Sequence, residues 1–210
     1  MKNINCYGNT NKKALVKECY LKPVLYVGLL PNQEKQGCCG KLTDRYYIFK
    51  ATNKLTKKEF SFFVGKHCAE KLLELINVKP LKFFNPLKLD SDNLHGNSTS
   101  NNHLDKLKKK IHPINKELIQ VISIISMAWD YPPPVFVLDI IEYTNSLDEF
   151  RVNNKGVLWV NRNLAKDKQN RDLTQIISEL REVSPNFKQM DFKNIRNYLN
   201  KEYPDEINKY

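Results

Sequence analysis

Cysteines at positions 38, 39 and 68 bracket the stretch CCGKLTDRYYIFKATNKLTKKEFSFFVGKHCAEKLLEL, whose order of elements leaves few ways to fold. RYYIFKA at 45–51 and EFSFFVG at 59–65 are rich in β-branched and aromatic residues, and TNKLTKK between them reads as a turn, so the spacing predicts an antiparallel hairpin. Beyond it Ala69, Leu72, Leu73 and Ile76 recur at helical spacing, so strand gives way to helix close to Cys68. A turn carrying thiols, a hairpin and a helix start then follow one another in the order that lets both ends of a small module supply ligands to one ion.

The composition permits a core. Hydrophobic residues make up 41% and charged residues 27% of 210, enough for one ordinary domain or two small ones. The formal net charge is +11, and clustered Lys and Arg concentrate polyanions around a protein, so nucleic acid is the first partner to consider. The opening MKNINCYGNT lacks the apolar region of a secretion signal. The longest apolar stretch, 118–129, is interrupted by Gln120, Ser123 and Ser126 and falls short of the roughly 20 residues of a membrane span. A cytoplasmic location without membrane contact is expected, and five cysteines there favour metal binding or burial over a disulfide framework.

Along the chain, residues 1–79 form a module in which KPVLYVGLL at 22–30 adds a strand to the hairpin. Residues 80–103, with NPLKLDSDNLHGNSTSNNH, read as a polar linker or loop. Residues 104–210 form a second domain. There HPINKELIQVISIISMAW is apolar on nearly every side beyond Glu117, as a central buried helix is, and YPPP stops it. VFVLDIIEY at 135–143, LDEFRVN at 147–153 and GVLWVN at 156–161 read as three strands, the last two joined by NKG. RDLTQIISELREV and DFKNIRNYLNKEY are amphipathic helices, the second with Asp191 placed to cap it. They could form a helix-turn-helix, although such pairs more often cover a sheet. The fold class is α+β, a zinc-finger-like hairpin and helix module followed by a mostly helical domain with a short antiparallel meander.

Cys39-Gly40, the Asn- and Thr-containing turn at 53–56, Val64-Gly65 and Cys68 resemble treble-clef or zinc-ribbon-like modules common in proteins of bacteria and their phages. The resemblance covers 38–75 and implies a structural zinc held by four Cys or His ligands in tetrahedral array. Where such modules carry two further cysteines, this chain has Gln36 and Lys66. The expected ligand set is Cys6, Cys19, Cys39 and Cys68, the first two brought in by an N-terminal arm folded over the site. Cys38 and His67 are substitutes, because neighbouring side chains usually point apart. The alternative is a fold without metal in which the thiols are small buried hydrophobes. The same resemblance implies a role in phage defence or its antagonism.

Among basic residues, Lys106, Lys108, Lys109 and Lys110 form one exposed cluster, and Lys57, Lys58 and Lys66 a second spot beside the metal site. Contacts of this kind to phosphate are sequence-tolerant and salt-dependent, and some of Tyr46, Tyr47, Phe49, Phe60, Phe62 and Phe63 could stack on unpaired bases. A nuclease would need converging carboxylates, for which Asp139, Glu142, Glu149 and Arg151 are the best set. In strands, Asp139 and Glu142 point to opposite faces while Glu149 and Arg151 share one, and solvent-side positions explain them more simply. His95, His103 and His112 read as exposed or capping residues. The expected function is that of a zinc-stabilised nucleic-acid-binding accessory protein without chemistry of its own. The alternatives are a protein-binding subunit or inhibitor docking an acidic partner, and a metal-dependent nuclease or toxin.

Overall fold

A computed structural model describes residues 4–85 and 110–210 of the chain. In order the elements are α1 (Gly8–Glu18), β1 (Cys19–Gly28), β2 (Lys35–Gly37), β3 (Gly40–Leu42), β4 (Arg45–Asn53), β5 (Glu59–Gly65), α2 (Lys66–Ile76), α3 (Pro113–Ala128), α4 (Val135–Ser146), α5 (Asn154–Leu164), α6 (Leu173–Val183) and α7 (Lys193–Glu202). The class is α+β, with a small antiparallel sheet in the N-terminal part and a mostly helical C-terminal part. No helix among the described residues is long and apolar enough to cross a membrane. Two compact units form, residues 4–85 with 129–138, and residues 110–128 with 139–210. Of the expected linker, 86–103 lies outside the described residues, while Phe84 bridges to Val27 at its start.

The first unit is built on the predicted hairpin. Strands β1, β4 and β5 form an antiparallel sheet in that order, Tyr47 opposite Val64 and Phe49 opposite Phe62. Alternation sends Tyr47, Phe49, Ala51, Phe62 and Val64 to one face, where Ala69, Leu72 and Leu73 of α2 complete the core. Tyr46, Ile48 and Phe63, also buried, take the opposite register. A second, two-stranded sheet, β2 with β3, carries Lys35, whose ammonium lies 5.5 Å over the Phe63 ring and donates to the Trp129 carbonyl.

Burial lowers the Lys35 pKa from 10.5 to about 8, with Asp130 opposing the shift. A base whose folded pKa is depressed costs stability while both states are protonated, and that cost is relieved as pH rises between the two pKa values, because the unfolded chain then holds more protons. Relative to Lys35→Met, the wild-type protein is therefore expected to gain about 1 kcal/mol between about pH 7 and about pH 9. Paired urea titrations measure this, and a flat difference would contradict it.

In the second unit the expected buried helix is present as α3, with Leu118, Val121, Ile122, Ile124 and Ile125 fully buried and with α5, α6 and α7 packed against it. The expected meander is not. Residues 135–146 and 154–164 are helices, and 147–153 is a connection between them. β-Branched and aromatic residues suggested strands, but the buried set of α4, Val137, Leu138, Ile141 and Thr144, follows a helical period. The expected NKG turn is the first turn of α5. Asn153 caps it by accepting from Gly156 N at 2.9 Å, and a Cβ at Gly156 would meet the Asn153 amide at 2.5 Å.

The connection is held by side chains. Asn115 of α3 donates to Arg151 O at 2.7 Å and accepts from Asn153 N at 2.9 Å, and Asn153 donates to the Thr144 hydroxyl at 2.9 Å. At α7 the expected cap Asp191 instead lies 3.8 Å from Arg196, and Glu117 of α3 accepts from Ile195 N at 2.7 Å.

Candidate metal centre

Three segments of the first unit bring cysteines together: Cys6, Cys38 and Cys39 form one cluster, and Cys68 meets it at Cys39. Gly37 of β2 pairs with Gly40 of β3, leaving Cys38 and Cys39 as the two-residue tip of a short hairpin. Gly40 has φ +123°, a conformation that favours glycine, and a Cβ on Gly37 would meet Leu42 at 2.9 Å. The tip is tied on both sides, Cys38 N donating to Phe63 O at 2.9 Å and Cys6 N donating to Cys38 O at 3.2 Å. Cys68 enters from the first turn of α2, which starts after Gly65.

Cys39 and Cys68 sulfurs are 2.7 Å apart, and Cys38 and Cys39 sulfurs 3.6 Å. Cys6 and Cys38 are joined as a disulfide with a Cα separation of 5.5 Å. The sulfurs of Cys6, Cys38 and Cys39 all lie within 4.8 Å of one another, and this cluster could hold a metal ion. Among the described residues it is the one group of three or more His, Cys, Asp or Glu donors close enough to do so.

Burial, reinforced by the hydrogen bond with Cys68 and that residue's charge, pushes the Cys39 thiol up to about 12, while Lys12 opposes the shift. Ligation requires thiolate, so metal uptake here would release protons and weaken as pH falls.

A family model described as uncharacterised conserved protein UCP028583 matches residues 4–208. The chain belongs to that family. No curated protein and no solved structure matches it. The family match takes in Cys6, Cys38, Cys39 and Cys68 together with every helix of the second unit.

Of the expected ligand set, Cys6 and Cys39 lie in the cluster, Cys68 meets it at Cys39, and Cys19 stands apart. Cys19 starts β1 opposite Asn53, whereas Tyr46, at the other end of β4, faces Gly65 at the start of α2. Cys19 is a buried hydrophobe whose pKa is raised first by burial and then by Glu18. Cys38, a substitute in that set, lies in the cluster instead. Adjacent thiols reach the same spot because a two-residue hairpin tip directs them together, a signal that only Gly37 and Gly40 could have given. His67 is no substitute, since its side chain is 93% exposed and lies 3.6 Å from Glu70. The expectation against disulfides is also corrected at Cys6 and Cys38, because pairing of the N-terminal arm with the hairpin tip sets them at bonding distance.

The lysines do not form the single spot expected beside the sulfurs. Lys57 and Lys58 are exposed at the tip of the β4–β5 hairpin, while Lys66 begins α2 at the other end of β5, about 20 Å away at the rise of an extended strand. Lys66 lies 3.9 Å from Glu70. Lys106, Lys108 and Lys109 lie outside the described residues, as do His95 and His103, and Lys110 is 3.9 Å from Glu149.

The residues weighed for a nuclease do not lie on strands, and among the described residues they form no group close enough to hold an ion. Asp139 and Glu142 are on α4, and Arg151 pairs with Asp148 at 2.9 Å rather than with Glu149. His112 accepts from Ile114 N at 3.2 Å, a local capping contact at the start of α3.

Proposed function

We propose that the first unit is a zinc module with Cys6, Cys38, Cys39 and Cys68 as ligands, and that the protein binds nucleic acid as an accessory factor through the tip of the β4–β5 hairpin. The cluster of Cys6, Cys38 and Cys39, with the Cys68 sulfur in contact with that of Cys39, carries this reading. An all-sulfur donor set suits zinc in a closed structural site. Zinc–sulfur bonds of about 2.3 Å place tetrahedral sulfurs about 3.8 Å apart. The Cys38–Cys39 separation of 3.6 Å is near that value, and the Cys39–Cys68 separation of 2.7 Å would open by about 1 Å. Reduction of the Cys6–Cys38 bond frees the remaining ligands. The order of turn, hairpin and helix start supports the resemblance to treble-clef modules.

For nucleic acid, the support is charge with aromatic surface. Lys57 and Lys58 are exposed, and Lys54 sits 5.1 Å over the ring of Tyr20, which is 64% exposed. Lysines there would contact phosphate and Tyr20 would stack on an unpaired base. Fluorescence titration of labelled single-stranded RNA, single-stranded DNA and duplex at two salt concentrations tests this. Binding should weaken steeply with salt, and Lys57→Glu with Lys58→Glu should reduce the log–log salt slope by about 0.7 per lost contact on single strands. Absence of binding at low salt would instead favour docking of the basic surface on an acidic protein.

A further inference from the structure

Beside the Cys6–Cys38 disulfide, Cys39 and Cys68 keep free thiols whose sulfurs stand closer than a metal would hold them. The two are 2.7 Å apart, about 1 Å short of the spacing around tetrahedral zinc but only about 0.7 Å beyond a covalent S–S bond. Cys38 Sγ, the other neighbour of Cys39, is 3.6 Å away. Both members of the close pair are half-buried, so a small oxidant can reach them, whereas Cys19 is buried at the start of β1. The tip of the β2–β3 hairpin thus carries one cysteine for each of its neighbours. Cys38 is bonded to Cys6 of the N-terminal arm, and Cys39 meets Cys68 in the first turn of α2.

We infer that Cys39 and Cys68 are a second redox pair, so that the site has two closed forms: four thiolates around zinc when reduced, and two disulfides, Cys6–Cys38 and Cys39–Cys68, when oxidised. The structure, with one pair joined and the other open, stands between them. The metal-bound form rests on the zinc reading given above; the pairing does not. With hydrogen peroxide as oxidant, one sulfur of a pair attacks a peroxide oxygen, the O–O bond breaks, and a sulfenic acid and hydroxide form. The partner sulfur then attacks the sulfenyl sulfur, the S–O bond breaks, and a second hydroxide leaves. Each pair gives two electrons to one peroxide. Around zinc, four thiolates, two molecules of peroxide and four protons therefore give two disulfides, one free zinc ion and four molecules of water. The thiolate is the metal ligand, so a sulfur that has lost its charge to a disulfide lets the ion go. The arm, the tip and the helix start, which the ion would join, are then joined covalently, and metal is unloaded without unfolding the module.

The test uses the full-length protein, reduced, loaded with zinc, freed of reductant and titrated with hydrogen peroxide. Released zinc is read with a chromogenic chelator, thiols by alkylation and mass spectrometry, and pairing by fragmentation of the disulfide-linked peptides. Two peroxides per chain should release one zinc and leave Cys19 as the one alkylated thiol, with Cys6 joined to Cys38 and Cys39 to Cys68. Far-ultraviolet circular dichroism should be unchanged, and dithiothreitol with zinc should restore the loaded form. Cys39→Ser and Cys68→Ser, treated in the same way, should each keep two alkylated thiols. Wild-type Cys39 and Cys68 recovered as separate alkylated or over-oxidised residues, or Cys39 joined to Cys38, would overturn the inference and leave the zinc site standing. Loss of the dichroism on oxidation would equally overturn it, since the disulfides would then not replace the ion. Reduced protein that takes up no zinc yet forms both disulfides would remove the metal reading and support the redox pairs.

Discussion

Replacing Cys68 by serine is expected to strip zinc from the protein and to melt the N-terminal unit early. An ion that binds only the folded state stabilises it by about 4 kcal/mol when free metal is about a thousandfold above Kd. In a unit of under a hundred residues that corresponds to about 15–30 °C in Tm. Chelation of the reduced wild-type protein should reproduce the shift, with metal content followed by elemental mass spectrometry. Cys19→Ser provides the contrast. It disturbs a buried position at the far end of β1, so it should lower stability while leaving one zinc per chain. If the Cys68 variant keeps its zinc, or reduced wild type carries none, the ligand assignment is wrong.

The second large effect is expected in the other unit, at a residue with no bearing on metal. Asn115→Leu keeps the volume of a fully buried side chain but removes both of its hydrogen bonds, leaving Arg151 O and Asn153 N without their partner. An abandoned buried donor costs about 1–3 kcal/mol; Asn153 N is such a donor, while Arg151 O, on an exposed residue, can turn to water, so the loss is about 1–3 kcal/mol. The loss should appear in the urea midpoint and as faster amide exchange at the start of α5, where Asn153 forms the cap. A variant within about 0.5 kcal/mol of wild type, the range of ordinary surface changes, would show that the connection is held by packing instead.

These two residues illustrate what the chain disclosed before its structure was known. Cys68 could be placed because the change from alternating to helical periodicity falls beside it, and the hairpin and α2 followed from the same pattern. Cys38 could not be ranked above Cys19, because β2 and β3 are three residues each and too short to display a period, yet their pairing aims the tip. Helix α1 escaped notice since GNTNKKALVKE offers only Ala14, Leu15 and Val16 as apolar residues and opens on glycine and asparagine. Asn115 looked like an ordinary polar residue of a helix start. Its partners lie 36 and 38 positions away, and no local pattern reports them. At 135–164 local composition pointed to strands, and burial on one side of each segment decided for helices instead.

The position of the β4–β5 hairpin has a consequence for how this unit can vary. Its tip projects from the end of the sheet opposite the sulfurs, anchored by Asn53, whose side chain accepts from Leu55 N at 3.0 Å and Thr56 N at 2.8 Å. A loop held at its base by two strands and free of the core can be exchanged, lengthened or recharged with little cost to the scaffold. One end of the unit is thus committed to keeping its shape, and the other is open to acquiring new partners by grafting.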